Sequence, residues 1–96
     1  MRGAYVYILS NIGRTALYIG VTTDINRRVW EHKQGKGSSF TTKYKCTILL
    51  YAEEHGTISD AIEREKQLKN WRKAWKWDLI KTLNPDLVDL YQTLRG

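Results

Sequence analysis

The sequence predicts a small α/β domain of the α+β type: a three-stranded antiparallel sheet with flanking helices. Three observations predict it. Short runs rich in aromatic and β-branched residues, at 4–10, 16–19 and 46–52, have the length and composition of strands. Between and after them, apolar residues recur three and four apart, the period of a helix laid on a core. The chain has 96 residues, enough for one modest core, since chains of this size bury roughly 60–68% of their unfolded surface. Residues 1–96 therefore read as one domain, with its core at 4–83 and a short C-terminal helix or tail at 84–96.

The elements follow in order. AYVYILS at 4–10 is the first strand, and alternation puts Tyr5 and Tyr7 on one face. Asn11 to Thr15, with Gly13, reads as a hairpin turn into the second strand, ALYI, which ends at Gly20. Thr22, Thr23 and Asp24 offer oxygens that cap a helix over 24–34, with Ile25 and Val29 on its buried stripe. Gly35, Gly37, Ser38 and Ser39 end that helix in a flexible loop. CTILLYA at 46–52 is the third strand. Thr57 with Asp60 is a capping box for a helix over 58–71, and helical character returns over 74–83. Asn84-Pro85 breaks it, because proline restrains its predecessor and cannot continue the ladder. The tail is expected to dock through Leu87, Leu90 and Tyr91.

Sixteen Lys and Arg against ten Asp and Glu give a net charge of +6, which favours polyanions: nucleic acid first, an anionic membrane surface second. The lone cysteine, Cys46, excludes an internal disulfide and a cysteine zinc site, and reads as buried core in a reducing compartment. The apolar run near the start is too short for a signal peptide, and none approaches the ~20 residues that span a bilayer. The expectation is a soluble, cytoplasmic protein without membrane partners. No P-loop, dinucleotide fingerprint or histidine-rich zinc motif is present.

Four features carry chemistry. Tyr7 and Tyr18 lie on adjacent hairpin strands, where their rings can meet across the sheet or simply pack as strand tyrosines. Arg28 and His32, four apart, share one helix face at the edge of the core, setting a fixed cation beside an imidazole that titrates near neutrality. Glu65 interrupts the apolar stripe Ile58, Ala61, Ile62, Leu68; a carboxylate there needs a partner, either a metal ion or Arg28. Lys69, Arg72, Lys73 and Lys76 form a basic ridge, and Lys33, Lys36, Lys43 and Lys45 line the loop region after the first helix. Such ridges either contact phosphates or are plain solvated faces. Trp71 and Trp75 read as mostly core, with one of them able to stack on an extruded base.

Tyr5-Val6-Tyr7 followed by Tyr18-Ile19-Gly20 resembles the paired signature of the GIY-YIG nuclease superfamily, and more narrowly the small stand-alone proteins related to the N-terminal nuclease domain of the bacterial excinuclease. Arg28 falls eight residues after Gly20, where that family has an arginine; His32 matches its later histidine, and Glu65 its metal-binding glutamate. Tyr5 and Val6 depart from the glycine and isoleucine of the name motif. The resemblance covers residues 4–83 and implies a metal-dependent DNA endonuclease or nickase in repair or recombination. In that reading Glu65 holds one Mg²⁺ or Mn²⁺, Arg28 offsets phosphoryl charge, Tyr7 is the base, Tyr18 orients water or phosphate, and His32 relays a proton or positions a tyrosine. An unperturbed tyrosine serves as base at pH 7 at a cost of roughly 4 kcal/mol. The alternatives are a non-catalytic nucleic-acid-binding module and a structural or protein-interaction domain retaining the fold. RNA is compatible with the same charge. The chain shows no separate targeting domain, so a protein partner or a homo-oligomer is open.

Overall fold

The computed structural model describes residues 3–95; residues 1, 2 and 96 of the expected 1–96 domain lie outside the described ones. Three strands, β1 (Ala4–Ser10), β2 (Leu17–Thr22) and β3 (Ile48–His55), form an antiparallel sheet in the order β2-β1-β3. The helices are α1 (Ile25–Lys33), α2 (Ser39–Tyr44), α3 (Ile58–Lys69), α4 (Lys73–Leu83) and α5 (Tyr91–Arg95). The expected fold class is the one observed.

β1 is central and almost wholly buried, because both of its faces are covered. Ala4, Val6 and Ile8 pack with Leu50, Ala61, Leu68 and Ile80 under α3 and α4. Tyr7 and Leu9 point the other way, toward Ile25 and Val29 of α1, Cys46, Leu49 and Tyr91 of α5. Strand alternation thus divides one sheet between two cores, and it places Tyr7 in the second of them. Cys46 is buried there as expected.

Several boundaries differ from expectation. β2 runs on through Gly20 to Thr22, since Gly20 pairs with Tyr7 across the ladder instead of turning the chain. Asp24 alone caps α1, its carboxylate accepting from the Arg27 N–H at 3.2 Å. The expected loop after α1 closes into α2, whose cap is Ser38, Oγ accepting from the Thr41 N–H at 3.2 Å. Thr57 caps α3 as expected, accepting from the Asp60 N–H at 3.1 Å. A bulge lies between Ile8 and Leu9 in the pairing with β3. There the Leu50 carbonyl accepts from buried Asn84 Nδ2 at 3.1 Å, so the residue read as a helix break also ties the C-terminal segment to the sheet.

Two expectations about burial are corrected. Ile58 and Ile62 are exposed, so only the Ala61–Leu68 line of α3 meets the core; residues seven apart return to one side of a helix, and a three-stranded sheet offers a narrow seat. Trp75 is half exposed: it packs edge-on against Trp71, with the Arg72 guanidinium 5.5 Å from its ring centre, and not into the core. Among the described residues, no helix is long and apolar enough to cross a membrane.

Candidate functional site

The site begins with a missing side chain. Gly20 stands opposite Tyr7, and a Cβ on it would lie 2.5 Å from the Tyr7 hydroxyl oxygen. Glycine therefore gives the phenol room to lie across β2. Tyr18, two residues earlier on β2, becomes its diagonal neighbour, and the two ring centres are 6.2 Å apart. The i,i+4 pair of α1 completes the group: the His32 ring is 5.7 Å from Tyr7 and 5.5 Å from Tyr18.

His32 is buried and bonded at both nitrogens. Nε2 lies 2.9 Å from the Tyr7 hydroxyl, and Nδ1 lies 3.0 Å from Thr41 Oγ1. Burial, then the nearby Arg28 charge, push its pKa down to about 4, with Glu31 offsetting part of the shift. The ring is therefore neutral at pH 7, with one nitrogen protonated and the other an acceptor. Tyr7 and Thr41 each present a hydroxyl that can donate or accept, so either neutral tautomer completes the chain of bonds, and Thr41 Oγ1 also reaches the Ser38 carbonyl at 3.0 Å. Gly37 sits against the imidazole so closely that a Cβ would overlap Nδ1. The ring is held from three sides.

The Tyr7 phenol is held well above the ordinary tyrosine range, by burial first and then by Tyr18; hydrogen bonding and charge from Arg28 pull it the other way and offset only part. Arg28 donates to Glu31 at 2.9 Å, an i,i+3 pair that keeps the guanidinium cationic and beside the phenol. The Glu31 carboxyl in turn is held below the usual carboxylate range by that contact.

Glu65 arrives from the other face. α3 covers the side of the sheet opposite Tyr7, yet it packs against β2, and the negative charge of Glu65 is felt at Tyr7, where it raises the phenol pKa. Its ion-pair partner is Lys69, 3.2 Å away and one turn on, and not Arg28, the alternative to a metal ion. The structure thus knits Tyr7, Tyr18, Arg28 and His32 closely and couples Glu65 to them through charge. Among the described residues, no group of three or more His, Cys, Asp or Glu side chains could hold a metal ion.

The predicted cations divide. Lys69 and Lys76 line a cleft of about 270 Å³ with Leu17, Tyr18, Ile19 and Phe40, beside the site. Lys73 donates to the Thr15 carbonyl at 2.6 Å. Lys33 is spoken for: its ammonium bridges the Thr47 carbonyl at 2.7 Å and the Asp89 carboxylate at 2.6 Å. Lys43 lies over the Tyr44 ring, and Lys36 and Arg72 are exposed. Sequence reasoning missed Thr41 and Gly37, which carry no signal outside the folded loop. It read Gly20 as permitting either tight packing or a turn before the helix, and tight packing, against Tyr7, is what the structure shows.

Over residues 3–78 the chain matches the family model of the GIY-YIG catalytic domain. A UPF0213 protein of Natronomonas pharaonis is 38% identical over 76 residues, covering 79% of this chain and 88% of that protein. A UPF0213 protein of Staphylococcus aureus is 35% identical over 81 residues, covering 84% of this chain and 98% of that one. The solution NMR structure of a UPF0213 protein from Bacillus halodurans is similar at a TM-score of 0.56 and 27% identity, over 88% of each chain. The matched span holds both tyrosine strands, the Arg28–His32 helix and the Glu65 helix, and the chain belongs to the GIY-YIG catalytic domain family.

Proposed function

We propose that the chain binds nucleic acid, DNA in the first place, by seating a backbone phosphodiester against Arg28, Tyr18 and the Lys69–Lys76 cleft. The observation that carries this reading is the cluster itself: a guanidinium fixed by Glu31 beside the Tyr7 phenol, which in turn meets Tyr18, next to a lysine-lined cleft on a protein of net charge +6. A phosphate needs only donors and positive charge, and both are in place before any ligand arrives. DNA and RNA share this chemistry. A nucleic-acid partner and a buried lone thiol both suit a cytoplasmic protein.

A second reading is metal-dependent cleavage at the same pocket, in the manner implied by the likeness to the nuclease domain of the bacterial excinuclease. What favours it is proximity: Glu65 lies near enough to Tyr7 for its charge to act there. A lone carboxylate suits a hydrated Mg²⁺ or Mn²⁺, which keeps most of its waters. When bound on Glu65, such an ion would supply charge stabilisation at a phosphate oxygen. Arg28 would bind the same phosphate, Tyr18 would orient it, and Tyr7 would pass its proton along its bond to His32. Binding ranks first because it asks only for donors and positive charge that the site already presents.

Two measurements separate the readings. Binding to a labelled oligonucleotide should weaken as salt rises, and Arg28→Ala should weaken it further. A salt-independent signal, equal in both proteins, overturns the proposal. Nicking of supercoiled plasmid with Mg²⁺ or Mn²⁺ by the parent, lost in Glu65→Gln with binding intact, establishes the second reading. Equal nicking by Glu65→Gln excludes Glu65 as the metal carboxylate.

A further inference from the structure

Beside the phosphodiester pocket runs a row of rings that the strand and helix motifs do not account for. Phe40 lies parallel to Tyr18, 29° between planes and 6.1 Å between centres, and Tyr44 follows at 4.7 Å from Phe40. With His32 at the inner end, four aromatic rings lead from the buried site to the surface. The outer two are exposed, at 40% for Phe40 and 45% for Tyr44. They sit on α2, the short helix that the flexible loop becomes.

Opposite the rings stands the lysine ridge of α3 and α4. The cleft lined by Tyr18, Phe40, Lys69 and Lys76 adjoins a second, of about 370 Å³, lined by Phe40, Tyr44, Lys73 and Lys76 together with Ala16 and with Leu17 at the start of the second strand. Leu17, Phe40 and Lys76 belong to both, so the two form one channel. Its inner end is Lys69, the partner of Glu65. One wall is aromatic and the other cationic. That division matches one nucleic-acid strand, whose bases offer ring faces on one side and whose phosphates line the other. A duplex turns its phosphates outward and hides its base faces in the stack, so it offers nothing to the aromatic wall.

We propose that this channel holds a single strand, with bases next to the engaged phosphodiester stacked on Phe40 and Tyr44 and its phosphates against Lys73 and Lys76. The inference rests on the nucleic-acid reading above and adds to it that the nucleotides at the site are unpaired.

Fluorescence anisotropy at fixed salt tests it, comparing the full chain on a labelled 15-nucleotide strand, on its duplex, and on a strand with abasic sugars at the centre. The parent should prefer the strand. Phe40→Leu and Tyr44→Leu keep apolar volume but remove the ring; each should weaken strand binding about tenfold and leave duplex binding unchanged. Phe40→Trp should retain binding, and abasic sugars should remove the difference between parent and leucine variants. Unchanged thermal midpoints show that the variants fold. Equal affinity for strand and duplex, with both leucine variants unaffected, overturns the channel and leaves phosphodiester binding standing. Absence of binding to either nucleic acid by the parent overturns both.

Discussion

The hydroxyl of Tyr7 and Nε2 of His32 stand 2.9 Å apart, and the imidazole that makes this contact is in its neutral form. Burial and Arg28 keep it so by pushing the His32 pKa down to about 4. The consequence for stability has a definite sign. Between the unfolded value of about 6.5 and the folded one, the unfolded chain binds the proton and the folded chain does not. Stability is therefore full above pH 6.5 and falls as pH drops toward 4, by a total on the order of 3 kcal/mol. Urea unfolding at pH 7, 6, 5 and 4.5 reads this directly. His32→Gln, which does not titrate, should flatten much of that slope; an equal slope in both proteins assigns it to other groups.

Gly20 predicts a steric outcome. Its Cβ position is 2.5 Å from the Tyr7 hydroxyl and 2.6 Å from the ring carbon beneath it. Gly20→Ala must displace a buried ring pinned to His32, which costs about 1–3 kcal/mol, or roughly 4–8 °C in Tm for each kcal/mol. Gly13→Ala meets nothing nearer than 3.8 Å and should melt as the parent does. A Gly20→Ala melt equal to that of Gly13→Ala would show that Tyr7 moves freely.

Much of this was legible from spacing. Tyr7 and Tyr18 on paired strands, and Arg28 and His32 one turn apart on a helix, meet because local geometry leaves them little choice. The ion pairs Arg28–Glu31 and Glu65–Lys69 also have helical spacing and were open to the same reasoning. The Glu65 stripe misled in part, since periodicity marks a face and not how much of it the sheet can cover; Ile58 and Ile62 fall off the edge. Thr41, Phe40 and Tyr44 were hidden because a six-residue helix has too little period to detect, and its role depends on folding back over His32. Long-range closure of that kind leaves no local trace.

Lys33 and Lys76 look alike in sequence and part in the structure. Lys33 links α1 to the C-terminal segment through Asp89, both side chains being largely covered. Lys33→Met should lower stability by about 1 kcal/mol and leave nucleic-acid affinity nearly unchanged. Lys76→Met should leave the melt unchanged, weaken binding, and reduce the slope of log affinity against log salt by about one phosphate contact. Reversal of the two phenotypes would exclude the cleft as the phosphate track.

The most direct measurement is a ¹⁵N-resolved NMR titration of the full chain with a short oligonucleotide. The shifts should centre on Tyr18, Gly20, Arg28, Phe40 and Lys69, the residues around one pocket at the second strand. Shifts that centre on Trp71, Trp75 and Leu79 and leave that pocket unmoved would contradict the account.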